Sequence, residues 1–106
     1  MSNVIDRIQE QLKNPVILFM KGTPDFPQCG FSGQAVQILD ACNADYSYFN
    51  IFEDMEMREA LKEYSSWPTY PQLYIDGKLV GGCDIMLDLY KKGQLASLLA
   101  VAGKTA

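Results

Sequence analysis

The apolar positions of the chain change their spacing several times, and each change marks an element. Val4, Ile5, Ile8 and Leu12 recur at helical intervals, which predicts an amphipathic helix over residues 3–13, ended by Asn14-Pro15. Val16-Ile17-Leu18-Phe19-Met20 follows as an unbroken apolar run with β-branched and aromatic members, the pattern of a central strand covered on both faces. Phe31, Ala35, Ile38, Leu39 and Cys42 then share one face of a helix reaching about residue 43, so Cys42 is expected as a core residue within an apolar stripe. Residues 46–52 read as a second strand. Glu53, Asp54 and Glu56 stand where the start of a third helix favours acids, and Met57, Leu61 and Tyr64 form its expected buried stripe.

Trp67-Pro68-Thr69-Tyr70-Pro71 breaks that helix. Residues 72–75 and 78–80 flank Asp76-Gly77, a strong hairpin signal. Gly81-Gly82-Cys83-Asp84 opens a fourth helix whose face includes Ile85, Leu89 and Tyr90, ended by Gly93; Leu95, Leu98, Leu99 and Ala102 suit a short fifth, and residues 103–106 read as frayed. The order is that of an α/β fold in one domain over residues 1–106. The first two strands, joined by a helix, are expected parallel, and the hairpin adds antiparallel pairing.

Composition then narrows function by exclusion. Nine Lys and Arg against 13 Asp and Glu give a net charge of −4, and with no basic cluster a nucleic-acid partner is not expected. The longest clean apolar run has five residues, far short of the roughly 20 that span a membrane. The first residues lack the basic and apolar regions of a secretory signal, so a cytoplasmic location is expected, with the three cysteines reduced. Cys29, Cys42 and Cys83 contain no C-x-x-C pair, and histidine is absent. Neither a thioredoxin-type dithiol, nor a four-cysteine zinc site in one chain, nor a Cys-His hydrolase can be built.

Cys29 falls between the Val16–Met20 run and a helix-patterned segment, at a strand-to-helix turn. Unpaired N–H groups at a helix start lower a thiol pKa, and an ammonium such as that of Lys21 helps, so Cys29 is the candidate nucleophile or metal ligand. The position three residues on is Ser32, whose hydroxyl cannot resolve a mixed disulfide. Unless Cys83 moves to serve as a distant resolving thiol, two uses remain: monothiol exchange at Cys29, or metal ligation.

Cys29-Gly30-Phe31-Ser32 resembles the active site of the monothiol, CGFS-type glutaredoxins. Lys21-Gly22-Thr23-Pro24, the segment from Trp67 to Gln72 and Gly81-Gly82-Cys83-Asp84 stand in the order and approximate spacing of that family's glutathione-binding segments. The likeness runs over almost the whole chain and is strongest to the short single-domain bacterial members. It implies a thioredoxin-like fold, a four-stranded mixed sheet between helices, with a cis Tyr70-Pro71 bond opposite Cys29. It also implies a glutathione site made by Lys21, Arg58, Thr69, Tyr70, Gly82, Cys83 and Asp84. For Arg58 the competing reading is a solvated helix face, and for Asp84 a helix cap.

One chain supplies one such thiolate, and a [2Fe-2S] cluster needs four ligands. The resemblance implies a homodimer in which two Cys29 thiolates and two glutathione sulfurs hold the cluster, serving apo iron–sulfur client proteins and pairing with a BolA-like protein. The alternatives are a glutathione-dependent oxidoreductase using Cys29 and a thioredoxin-like interaction module with an inert cysteine.

Overall fold

The structure, a computed structural model describing residues 3–104, is built on β1 (Val16–Met20), all five residues of which are buried. With β2 (Ser47–Asn50), β3 (Gln72–Ile75) and β4 (Lys78–Gly81) it forms a sheet of spatial order β2-β1-β3-β4. β1 pairs parallel with β2 and antiparallel with β3, and β3 pairs antiparallel with β4. A helical crossover gives the parallel pair, and Asp76-Gly77, both at positive φ, turns the hairpin.

Period-two alternation along β1 divides the core. Val16, Leu18 and Met20 face one layer with Ala35, Leu39, Met86 and Leu95, contributed by α2 (Gly30–Ala41), α4 (Cys83–Lys91) and α5 (Gln94–Ala100). Ile17 and Phe19 face the other with Ile8, Met57 and Leu61, from α1 (Val4–Gln11) and α3 (Met55–Ser65). This is the thioredoxin-like arrangement expected. Among the described residues no helix is long and apolar enough to cross a membrane.

Several expectations are corrected. The second strand stops at Asn50 instead of residue 52, because the Asn50 Oδ1 accepts the Phe52 N–H and turns the chain into a 3-10 segment, Ile51–Glu53. Phe31 is 61% exposed and Ile85 37% exposed: both stand in the first turn of a helix, at its open end. In α4 the buried residues are Cys83 and Met86; Leu89 packs against the core as expected, whereas Tyr90 is exposed. Tyr64 and Leu98 are likewise exposed. Cys42 is the C-cap of α2, half-buried against the core rather than within it. Gly103 is held, its N–H donating to Asp76 Oδ1 at 2.8 Å; the expected fraying of residues 105 and 106 lies outside the described residues.

Candidate functional site

Beyond β1 the chain closes a short loop before α2. Gln28 N–H donates to the Lys21 carbonyl at 2.9 Å, and the Thr23 and Phe26 backbones exchange hydrogen bonds. Gly22, at φ +92°, permits this turn: a Cβ there would lie 2.5 Å from the Phe26 carbonyl oxygen. Its N–H donates to Asn50 Oδ1, tying the loop to the end of β2.

The loop delivers Cys29 as the N-cap residue of α2, in extended backbone conformation. The Ser32 N–H is the strongest influence on its sulfur; with the Phe31 N–H and the Lys21 charge it outweighs partial burial and holds the Cys29 thiol below its ordinary range. Ser32 itself is fully buried and its Oγ accepts the Lys21 N–H at 3.1 Å. The hydroxyl that replaces a resolving thiol therefore has a structural task, joining the end of β1 to the start of α2.

Opposite stands the segment between α3 and β3, with Tyr70-Pro71 cis. Buried Gln72 organises it: Nε2 donates to the carbonyls of Trp67 and Thr69 at 3.0 and 3.2 Å, while Oε1 accepts from the Tyr74 hydroxyl at 2.9 Å. The Tyr70 side chain is buried and its hydroxyl donates to the Arg58 carbonyl at 2.7 Å; burial pushes its pKa well up. The third wall is the start of α4. Its N-cap is Gly82, where a Cβ would meet Pro71 O at 3.2 Å and the Trp67 indole nitrogen at 3.3 Å. Asp84 is exposed and does not cap the helix.

Between these walls lies a cavity of about 310 Å³ lined by Lys21, Cys29, Thr69, Tyr70, Gly82, Cys83 and Asp84. The structure thus brings together seven of the eight residues singled out from sequence. Arg58 does not line it; it is half-buried on α3, its guanidinium carbon 5.7 Å from the centroid of Phe52, with a buried Nε lacking a partner. Trp67, Phe31, Pro71 and Ile85 complete the lining and were not assigned to the site from sequence, although Phe31, Trp67 and Pro71 lie within quoted motifs. The Trp67 Nε1 is buried without a hydrogen-bond partner.

Cys83 is buried, its Sγ donating to Gln34 Oε1 at 3.1 Å, and burial followed by the charges of Asp84 and Cys29 pushes its thiol up. Cys42 is also raised by burial. It lines a larger cavity of about 420 Å³ with Tyr46 and Leu99, which lacks an activated thiol. Cys29 is the only cysteine shifted toward the thiolate. Among the described residues no group of three or more His, Cys, Asp or Glu could hold a metal ion.

Comparison with known proteins places these features in a family. The glutaredoxin family model matches residues 16–80. The chain is 49% identical over 100 residues to Glutaredoxin 4 of Escherichia coli, covering 93% of this chain and 87% of that one. It is similar to the solution structure of reduced poplar apo GrxS14, with TM-score 0.78, 51% identity, and 95% and 91% of the two chains covered. The buckwheat glutaredoxin–glutathione complex shares the fold, with TM-score 0.84 at 24% identity over 97% and 93% of the chains.

Proposed function

The chain belongs to the glutaredoxin family, and from that premise we propose that it binds glutathione beside Cys29 and, as a homodimer, carries a [2Fe-2S] cluster to apo iron–sulfur proteins. The observation that carries this reading is the pairing of one activated thiol with a buried, already engaged Ser32 three residues on, the position where a C-x-x-C dithiol has its second cysteine.

Glutathione fits the residues present. It brings two carboxylates, one ammonium and an extended backbone. Lys21 and Asp84 stand in the cavity wall, and the cis Tyr70-Pro71 segment offers main-chain groups for strand-like pairing. Arg58, which does not line the cavity, would have to leave Phe52 to reach the ligand. Gly82, lacking a Cβ, lets backbone approach close to Pro71 and Trp67. The ligand's sulfur then lies against Cys29.

The cluster is cargo. With one suitable thiolate per chain, two protomers and two glutathiones would supply its four thiolate ligands, and release would follow when a client's thiolates replace them. A BolA-like protein in place of the second copy is part of the same proposal. A second reading has an observation in its favour: the lowered pKa of Cys29 also suits thiol–disulfide exchange with glutathione.

Anaerobic reconstitution with iron, sulfide and glutathione separates the two. A coloured dimer whose mass includes two glutathiones supports the carrier. Colourless monomer with rapid deglutathionylation of a mixed-disulfide substrate would replace it with the oxidoreductase.

A further inference from the structure

Cys83 is the second thiol in the wall that holds Cys29, and it is not idle there. Its Sγ donates to the amide oxygen of Gln34, across 49 residues of sequence. Gln34 lies on α2 just over one turn beyond Cys29, so the helix that activates one thiol also holds the other. Gln34 itself does not line the cavity.

Resting on the reading that Cys29 takes up glutathione here, we propose that Gln34 is a positioning residue that sets the lifetime of a Cys29–glutathione mixed disulfide, by holding Cys83 as a hydrogen-bond-donating thiol. The reaction it restrains is defined. Cys83 loses its proton to water and its sulfur attacks Cys29 Sγ; the Cys29–Cys83 bond forms as the bond to the glutathione sulfur breaks, and glutathione leaves as thiolate with the electron pair. Glutathione disulfide, which forms the adduct, is the only oxidant required. An acceptor that binds the S–H favours the neutral thiol over the attacking thiolate, and the burial of Cys83 acts in the same direction.

The test compares Gln34→Met, which fills the same space without the carbonyl, with Gln34→Glu, which keeps an oxygen acceptor, both on a Cys42→Ser background. Each protein is treated with glutathione disulfide, freed of excess reagent, and followed by intact mass as adduct converts to internal disulfide. The expected result is conversion about fivefold faster in Gln34→Met than in the parent, the factor equivalent to one net hydrogen bond. Gln34→Glu is expected to convert no faster than the parent. Equal lifetimes in parent and Gln34→Met would overturn the proposal, as would equal acceleration in both variants, which assigns Gln34 to packing alone. If the parent forms no adduct at Cys29, the glutathione reading falls first and this inference with it.

Discussion

Cys29 owes its low pKa first to a main-chain donor, the Ser32 N–H, which no side-chain substitution removes. The pH profile of alkylation should therefore show Cys29 reacting with a midpoint below that of an ordinary thiol, about 8.5, and below those of Cys42 and Cys83. Lys21→Met should move the midpoint upward by removing the charge while the N–H groups remain. Ser32→Ala should cost about 1–3 kcal/mol in urea denaturation, because the Lys21 N–H loses its acceptor in a part-buried position. Cys29 was legible in sequence because an apolar strand, a turn and a helical pattern are contiguous there. Phe31 and Ile85 were misread for a related reason: periodicity reports a helix face but not where the helix meets the sheet, and both residues precede that contact and line the cavity. The Gln34–Cys83 bond left no local signal, since only the tertiary fold brings those positions together.

At the scale of elements, the site depends on loops that side chains and glycine hold in shape. Gly22→Ala should cost more than about 1 kcal/mol, because positive φ and a contact 2.5 Å from Phe26 O both oppose a Cβ; chemical denaturation checks it. The start of α3 carries a pH dependence. Asp54 caps it by accepting the Met57 N–H, and that bond, with Arg7 as a further partner, holds its carboxyl below the usual carboxylate range. A folded value below the unfolded one means that this stabilisation is complete above the ordinary aspartate pKa, about 3.9, and is lost as pH falls through the folded value. Stability measured from pH 6 downward should therefore decline in the wild type more steeply than in Asp54→Asn, which retains a capping oxygen. The hairpin, the helical crossover and the order of elements along the chain were legible because turn residues and apolar runs agree. The early end of β2 was not, because it turns on Asn50 capping a 3-10 turn, a side-chain bond invisible to periodicity.

At the scale of the whole molecule, the proposed dimer is held by its ligands more than by protein surface. Withdrawing glutathione from loaded protein should release cluster and protomers together, and gel filtration with absorbance at the cluster band reads both; a coloured dimer persisting without a thiol ligand would reject the ligand set. β1 bears on how such binding can be observed. It is buried on both faces, and both of its edges are paired. Its amide protons thus meet solvent only when the entire molecule opens, so their deuterium exchange is a gauge of total stability. Glutathione, binding only the folded chain, should slow exchange along Ile17–Phe19 by the factor 1 + [L]/Kd. The innermost strand, which the ligand never touches, becomes a built-in reporter of occupancy.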